Sequence, residues 1–233
     1  MTGTVKAVRA ETESARSLDI EVPGWRGNIA GQHVDVRLTA EDGYQAVRSY
    51  SLASSGSGEQ LQLAVDKLPD GEVSPYLVDD VMPGDLLEIR GPLGGWFIWQ
   101  PSLAGPVQLI AGGSGVVPLM AMIRSRAQSD STAPFRLLYS VRNPDDVFFR
   151  SELEAPTPGL DVTWAYTRAT PPGWPRPAGR VTGDDLSAHC FPASDDPAVF
   201  VCGPTGFVEA VANALVLLGH DPGRVKTERF GGA

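Results

Sequence analysis

The chain has 233 residues, a net charge of −9 and a hydrophobic fraction of 42%. The hydrophobic fraction suffices for buried cores and argues against disorder, and the negative charge argues against a nucleic-acid partner held by the overall field. Two cysteines and three scattered histidines are too few for a disulfide framework, an iron–sulfur cluster or a metal site. The amino terminus is polar, and no run approaches the roughly 18 apolar residues of a membrane span. We therefore expect a soluble, cytoplasmic protein.

Residues 1–101 are predicted to form short strands separated by turns. Alternating segments run through TGTVKAVRAETESARSLDIEV, and HVDVRLTAEDGYQAVRSYSLAS predicts a hairpin across EDG. Further strands are predicted in EQLQLAVDKL and MPGDLLEIRGPLGGWF, with one short helix in PDGEVSPYLVDDV. Many short strands with glycine and proline between them indicate an antiparallel sandwich or barrel.

The pattern changes after WQPSLAGP (residues 99–106), a plausible linker that places the domain boundary between residues 101 and 102. Residues 102–233 contain the apolar strands VQLIAG, FRLLYSV, LDVTWAYT and AVFVCG, which alternate with helical segments such as DDVFFRSELEA and TGFVEAVANALVLLG. This alternation indicates parallel pairing in a doubly wound sheet that is covered by helices on both faces.

Glycines follow the first of these strands, at Gly112, Gly113 and Gly115, and Pro118 lies in the predicted first helical turn. Such a turn suits a pyrophosphate at a helix start, although a tight turn without a ligand explains the same residues. A second strand–turn–helix segment, VFVCGPTGFVEAV, places Cys202 at the carboxyl end of a strand. Ligands bind off those ends in open parallel sheets, whereas an isolated cysteine is more often a small buried hydrophobe.

Several arginines follow the second and third predicted strands. Arg142 follows one strand, Thr167 and Arg168 end the next, and Arg176 and Arg180 lie in the loop beyond. A 2′-phosphate selects arginine, so the cluster favours NADPH, with NADH as the alternative. The competing interpretation is a solvated loop with ordinary surface charges.

The segment RSYS combines a cation, an aromatic ring and a hydroxyl in Arg48, Tyr50 and Ser51. If the second domain presents a dinucleotide, the first must carry a hydride acceptor, and a flavin fits because no side chain can accept hydride. A flavin nucleotide needs a cation, an aromatic face and a hydrogen-bond donor. Strict alternation would turn Tyr50 and Ser51 to opposite faces, so a twist or bulge is expected. Gly71 and Ser74 at a helix start suggest a second phosphate contact.

Together these motifs resemble, in order, those of the ferredoxin–NADP⁺ reductase superfamily. RSYS is similar to the flavin motif R-x-Y-S, GEVS to G-x-x-S, GPLGGWF to the loop closing the barrel, and GGSGVVP to the nucleotide motif G-x-G-x-x-P. CGP resembles the segment beside the nicotinamide, YTR the pair that holds a 2′-phosphate, and ERFGGA a terminus that covers the flavin. The resemblance implies a six-stranded antiparallel Greek-key flavin barrel followed by a doubly wound five-stranded parallel domain.

The resemblance also implies roles for individual residues. Ser51, Cys202 and Glu228 would lie at the site of hydride transfer. FAD, favoured over FMN by analogy, would contact Arg48, Ser49, Tyr50, Ser51, Val65, Lys67, Gly71, Val73, Ser74 and Phe230. The nicotinamide nucleotide would contact Gly112, Gly113, Ser114, Gly115, Pro118, Arg142, Thr167, Arg168, Cys202, Gly203 and Pro204.

The implied function is that of a flavoprotein reductase. It would take hydride from NADPH onto FAD N5 and pass electrons to a separate protein, such as a ferredoxin, a haem protein or a metal-centre oxidoreductase. One alternative is a reductase of free flavin, and another is a non-catalytic nucleotide-sensing or assembly module. Plant-type members of the family end in tyrosine, whereas three small residues follow Phe230 here.

Overall fold

The computed structural model describes residues 1–231. The first half contains six strands and one short helix: β1 (Thr2–Ala10), β2 (Ala15–Glu21), β3 (His33–Thr39), β4 (Gln45–Ser51), β5 (Gln60–Asp66), α1 (Ser74–Asp79) and β6 (Leu86–Leu93). The strands pair antiparallel in the spatial order β4-β3-β6-β1-β2-β5. An isolated antiparallel bridge between Leu52 and Leu63 joins the end of β4 to β5 and closes the sheet into a Greek-key barrel.

The barrel core follows from the alternation of its strands. In β2, Leu18 and Ile20 are buried, and in β3 the same holds for Val34 and Val36. Alternate residues of a strand point to opposite faces, so each strand sends one set of side chains inward. The short helix α1 contributes Leu77 and Val78 to this core. We therefore assign α1 a packing role in addition to any role at a ligand.

The second half contains five strands and four helices: β7 (Val107–Gly112), α2 (Val116–Ala127), β8 (Phe135–Val141), α3 (Arg150–Glu154), β9 (Leu160–Tyr166), α4 (Gly183–His189), β10 (Ala198–Pro204), α5 (Thr205–Leu217) and β11 (Val225–Phe230). The strands pair in parallel in the order β11-β10-β7-β8-β9. Every residue of β7 is buried, as a central strand covered on both faces requires. The predicted fold class, an antiparallel barrel followed by a doubly wound parallel sheet, is confirmed.

Two elements of the second half differ from the sequence pattern. DDVFFRSELEA, expected to be one helix, consists of a 3₁₀ turn over Pro144–Asp146 and the short α3. Between them Phe149 adopts the left-handed conformation at φ +53°, and its N–H donates to the Glu11 carboxylate of the barrel at 2.8 Å. That contact with the other half of the molecule interrupts the helix.

A shared hydrophobic core joins the two halves. Trp99, just before β7, is fully buried, and its ring meets Phe135 edge-on with centroids 5.1 Å apart. Phe97 meets Phe200 of β10 in the same way at 5.4 Å. Small barrel residues, including Ala53, belong to the same buried cluster. Among the described residues, no helix is long and apolar enough to cross a bilayer.

Trp99 and Trp96 form a matched pair for testing this shared core, because their exposed fractions are 0% and 61%. Trp99→Ala leaves a cavity between the halves and should lower the free energy of unfolding by about 3–5 kcal/mol. Trp96→Ala should cost less than about 1 kcal/mol. Chemical denaturation of both variants measures the difference, and equal losses would contradict this account of the junction.

Candidate active site

The candidate active site lies where the end of β4 meets the carboxyl ends of the central strands of the parallel sheet. The strand order reverses between β7 and β10, and open parallel sheets bind ligands at such a point. Pairing between β10 and β11 places Cys202 beside Glu228. The Ser51 hydroxyl donates to Glu228 Oε1 at 2.8 Å. The three residues predicted at the transfer site are therefore adjacent in the structure.

Glu228 is a half-buried carboxyl group. Burial raises its pKa above the ordinary value of 4.5, against the opposing effects of the Ser51 hydrogen bond and the nearby His33. His33 pairs with Ser51 across β3 and β4, so it lies on the same side of the barrel. A carboxyl group with a raised pKa retains its proton to a higher pH than an exposed one, and here it lies next to a hydroxyl.

Cys202 is buried, and desolvation raises the pKa of its thiol, with the Glu228 carboxylate adding to the effect. The thiol is therefore held neutral, which suits a small packing group and excludes a thiolate nucleophile. The backbone of Cys202 also contacts the turn after β7. A Cβ added to Gly115 would lie 2.2 Å from the Cys202 carbonyl oxygen, so the glycine allows the turn after β7 to touch β10.

The glycines of the turn at residues 112–115, here called the glycine turn, are needed for two different reasons. A Cβ at Gly112 would lie 2.7 Å from the Phe207 ring, so Gly112, like Gly115, serves contacts within the protein. Gly113 differs, because its φ is +55° and an added Cβ would meet nothing within 4 Å. It leaves open space beside a backbone conformation that favours glycine. Ser114 lies in the 3₁₀ turn over Gly113–Gly115.

Beyond the glycine turn, the neighbouring elements follow the predicted order. Pro118 lies in the first turn of α2, where its missing N–H costs little. At the end of β10, Gly203 packs its Cα surface against Phe207, and Pro204 pairs with Phe230 of β11. Phe230 is exposed. The last two residues of the tail ERFGGA lie outside the described residues.

The segment RSYS forms the end of β4. Its pairing with β3 runs without a register shift through Tyr50 and Ser51, so the expected bulge within β4 is absent. Tyr50 packs against the barrel core, and burial raises the pKa of its hydroxyl to about 12. Ser49 donates to the Asp35 carboxylate at 2.6 Å. Within residues 1–231, Ser51 is the only one of Ser49, Tyr50 and Ser51 that forms a hydrogen bond to the parallel half.

The Arg48 guanidinium pairs with the Glu72 carboxylate. Tyr44 donates its hydroxyl to the other oxygen of Glu72 at 2.6 Å. The Tyr44 hydrogen bond and the Arg48 charge lower the pKa of Glu72. Both partners of the ion pair are about half exposed, so solvent screens their attraction. Glu72 was not predicted from the sequence as a partner of Arg48, although it lies within the motif GEVS.

The predicted phosphate-holding residues near α1 already have partners within the protein. The Ser74 hydroxyl accepts the Leu68 N–H at 3.0 Å. Lys67 pairs with Asp79 at 3.1 Å. Val65 and Val73 are buried in the barrel, and a Cβ at Gly71 would lie 2.8 Å from the Ser74 hydroxyl. Their hydrogen bonds and packing order this loop next to Arg48 and Glu72.

The arginines after β8 and β9 separate into two groups. Arg168 donates its N–H to the Arg142 carbonyl at 2.9 Å, which brings the two strand ends together, with Thr167 bonded to Val141 in the same way. Neither Arg142 nor Arg168 forms an ion pair within residues 1–231. Arg176, by contrast, binds Asp185 of α4 at 2.7 Å, so it does not contribute a free charge.

An open hollow of about 570 Å³ adjoins these strand ends. Residues 143–146, which follow β8, and residues 169–172, which follow β9, line it together with Glu13. Three carboxylates, those of Glu13, Asp145 and Asp146, face this hollow, although Asp146 also accepts from the N–H of Asn143 at 3.1 Å. The hollow can hold a polar group, and the side chains that line it are acidic or uncharged.

These residues fit a flavin beside a nicotinamide. Arg48 is a cation on the same strand as the Ser51 hydroxyl, Gly113 leaves open space at the end of β7, and the Ser51–Glu228 hydrogen bond joins the barrel to the parallel sheet. Among the described residues, no group of three or more His, Cys, Asp or Glu side chains could hold a metal ion.

Comparison with known proteins decides the family. Residues 4–98 match the oxidoreductase FAD-binding domain, and residues 109–213 match the oxidoreductase NAD-binding domain. A Ralstonia protein, the ferredoxin–NAD(P)⁺ reductase component of naphthalene 1,2-dioxygenase/salicylate 5-hydroxylase systems, is 30% identical over 232 residues, covering 98% of this chain and 68% of that one. The chain belongs to the ferredoxin–NADP⁺ reductase superfamily. It is an NAD(P)H-dependent flavin oxidoreductase with an FAD-binding and an NAD-binding domain.

Other members of the superfamily show the same likeness. NADH-cytochrome b5 reductase 1 of Emericella nidulans is 30% identical over 205 residues, covering 83% of this chain and 65% of that one. The chain thus spans about two-thirds of the length of these curated relatives. The flavohem-like FAD/NAD-binding domain of nitric oxide dioxygenase from Vibrio cholerae superposes with a TM-score of 0.86 at 25% identity, covering 99% and 98% of the two chains.

The raised pKa of Glu228 predicts how Glu228→Gln changes stability with pH. A raised folded-state pKa means that the contribution of the carboxyl to stability is full below its ordinary value of 4.5 and is lost as pH rises through the folded-state pKa. Glutamine keeps the Ser51 hydrogen bond without the charge. The variant should therefore melt higher than the wild type at pH 8, by about 2–4 °C for each kcal/mol regained.

Thermal denaturation between pH 4.5 and pH 8 checks this expectation. The difference between the variant and the wild type should shrink toward zero at the acid end. Glu41→Gln, at an exposed position in the β3–β4 turn, is the control. A difference that does not change with pH would refute the electrostatic origin.

Proposed function

We propose that this protein is the reductase of an electron-transfer system, with NADPH as donor, FAD as its prosthetic group and a separate redox protein as acceptor. The observation that carries the proposal is the 2.8 Å hydrogen bond from Ser51 to Glu228. It joins the flavin motif of the barrel to the last strand of the nucleotide half, next to the turn at Gly113. When bound, the two cofactors supply the hydride donor and acceptor, and the protein supplies placement and electrostatics.

Each residue group has a defined task in this proposal. Ser51 offers a hydroxyl at the reacting face, Glu228 holds or releases a proton next to it, and the neutral Cys202 fills the floor beside the nicotinamide position. Arg48 offers its charge to the flavin phosphates once they displace Glu72. Further flavin contacts are proposed at Ser49, Tyr50, Val65, Lys67, Gly71, Val73, Ser74 and Phe230, and further nucleotide contacts at Gly112, Gly113, Ser114, Gly115, Pro118, Arg142, Thr167, Arg168, Gly203 and Pro204.

Flavin binding and nucleotide binding are assigned to different parts of the chain. We propose residues 1–101 as the FAD-binding domain and residues 102–233 as the NAD(P)-binding domain. The last barrel strand ends at Leu93 and the first parallel strand begins at Val107, which supports this boundary. We also propose a cytoplasmic location, which is supported by two buried cysteines, Cys190 and Cys202, that are not joined in a disulfide.

The proposed acceptor is a ferredoxin, a haem protein or a metal-centre oxidoreductase. Support comes from the relatives, since one is named as a ferredoxin–NAD(P)⁺ reductase component and another as a cytochrome b5 reductase. A further solved relative, the ferredoxin reductase in carbazole 1,9a-dioxygenase, has a TM-score of 0.86 at 25% identity, covering 99% of this chain and 69% of that one.

A second candidate, a reductase of free flavin, is favoured by the pairing of Arg48 with Glu72. A flavin phosphate must compete with this carboxylate for the guanidinium. Such competition weakens flavin binding and suits a flavin that is a substrate rather than a prosthetic group.

Colour and anaerobic mixing test the proposal together. The purified protein should stay yellow through desalting and should lose its flavin absorbance within about a second of mixing with NADPH, since enzymes typically turn over at roughly 1–10³ per second. Colourless protein that reduces added FAD would instead establish the free-flavin reductase. Yellow protein that does not bleach would establish a sensing or assembly module and end the proposal.

Arg168→Ala tests the choice of NADPH. If Arg168 holds the 2′-phosphate, the variant loses a charge-assisted hydrogen bond worth about 1.5–3 kcal/mol, so the KM for NADPH should rise at least about tenfold. The KM for NADH should stay within about twofold of the wild-type value, which makes NADH the internal control. Equal changes for both dinucleotides would show that the phosphate is not held there, and the carboxylates of Asp145 and Asp146 would then favour NADH.

A further inference from the structure

Arg124, on the helix α2 of the nucleotide half, reaches across to the barrel. Its Nη1 donates to the Ala53 carbonyl at 2.8 Å and to Gln62 Oε1 at 2.6 Å. Both acceptors belong to the barrel half, Gln62 on β5 and Ala53 just after β4. The side chain of Arg124 is only 20% exposed, so these hydrogen bonds are largely shielded from water.

The other edge of the same guanidinium is held within the nucleotide half. Nε donates to Glu152 Oε2 of α3 at 2.9 Å, and Nη2 also contacts this carboxylate. The guanidinium carbon lies 4.9 Å from the centroid of the Phe149 ring. Because the planar fork fixes its donors in direction, one side chain sets the relative position of α2, α3 and the barrel.

Ala53 is two residues beyond Ser51, so the barrel contact lies close to the reacting site. The intervening Leu52 donates its N–H to the Gln32 carbonyl at 2.9 Å, and Ala53 donates to the Gln62 carbonyl at 2.8 Å. Gln62 in turn donates its N–H to Ser54 Oγ at 2.8 Å. The segment over residues 51–54 is thus fixed between β5 and Arg124.

The opposite end of α2 is tied to the glycine turn. Gly115 directly precedes the helix and touches the Cys202 carbonyl at a distance that leaves no room for a Cβ. The twelve residues of α2 form a rod about 18 Å long at 1.5 Å per residue. One rigid helix therefore contacts the nucleotide turn at its start and the segment behind Ser51 near its end.

We propose that Arg124 is a positioning residue, which sets the approach of the nicotinamide to the flavin by fixing α2 against residues 51–54. This inference rests on the proposed function. The shared core around Trp99 and the bond from Phe149 to Glu11 remain when Arg124 is replaced, so the two halves stay associated and their alignment loosens. Hydride transfer is more sensitive to alignment than cofactor binding, since a misplacement of about 1 Å can cost about 10²-fold in rate.

The test compares Arg124→Met with Arg9→Met by stopped-flow spectroscopy. Arg9 pairs with Asp19 at 2.6 Å, and Asp19 accepts from Gln62 at 2.7 Å, so the control removes an arginine from the same network without touching the nucleotide half. Arg124→Met should bind flavin and NADPH within about twofold of wild type, while the limiting rate of flavin reduction falls at least about tenfold. Arg124→Lys, which keeps one donor for Ala53, should recover part of the rate, and Arg9→Met should match wild type.

Three outcomes of the kinetic measurements would overturn the inference: a reduction rate in Arg124→Met within twofold of wild type, a loss that disappears when the rate is expressed per bound flavin, or an equal loss in Arg9→Met. Hydrogen exchange of the amides over residues 51–54 provides a readout that needs no turnover. Faster exchange in Arg124→Met supports the inference, and unchanged exchange contradicts it. Failure of the wild type itself to reduce flavin refutes the proposed function alone, and the exchange measurement then decides on Arg124.

Discussion

The hydrogen bond between Ser51 and Glu228 connects the two halves of the molecule at the site itself. Its donor ends a barrel strand and its acceptor lies on the edge strand of the parallel sheet, so it forms only if both sheets are correctly aligned. Parallel pairing fixes Glu228 next to Cys202, and the contact between Gly115 and Cys202 fixes the glycine turn in the same place. A half-buried carboxyl is costly unless it is hydrogen-bonded or protonated, and the Ser51 hydroxyl relieves part of that cost.

Some arginines near the site are paired with carboxylates, which the sequence alone does not show. Arg176 is neutralised by Asp185, and Arg48 by Glu72. Arg142 and Arg168, at the ends of β8 and β9, form no ion pair within residues 1–231. The net charge of the chain therefore gives no guide to which of these arginines keep a free charge.

Much of the fold could be read from the sequence because its cause is local. Alternation in HVDVRLT and QAVRSYS predicts a hairpin, and the apolar run VQLIAG predicts a buried parallel strand. Elsewhere, contacts between residues distant in sequence determine the structure, and the sequence pattern does not predict it. Phe149 turns left-handed because its N–H reaches Glu11, which no periodicity reveals. The strand β11 carries mostly polar residues and forms by pairing with β10, so the sequence pattern did not identify it, and the family resemblance gave only the number of five strands.

The sequence predicted Ser51, Cys202 and Glu228 as one site, but it did not show why the neighbouring glycines are needed. Ser51, Cys202 and Glu228 lie together, yet nothing local indicates that Gly112 and Gly115 are required by Phe207 and the Cys202 carbonyl rather than by a ligand. Glu72 was missed because an acidic residue within a phosphate motif becomes informative only when its contact with Arg48 is seen. Arg124, in the middle of a helix, carries no sequence signal for an acceptor as remote as Ala53.

The contact between Gly115 and the Cys202 carbonyl has a consequence for protein engineering. Any side chain at position 115 would force the end of β10 outward, and β11 with Glu228 would move with it because the two strands are paired. A mutant library intended to exchange one coenzyme for the other should leave this glycine constant. Positions 142, 145 and 168–170 tolerate substitution better, because they are exposed or line the hollow at the ends of β8 and β9.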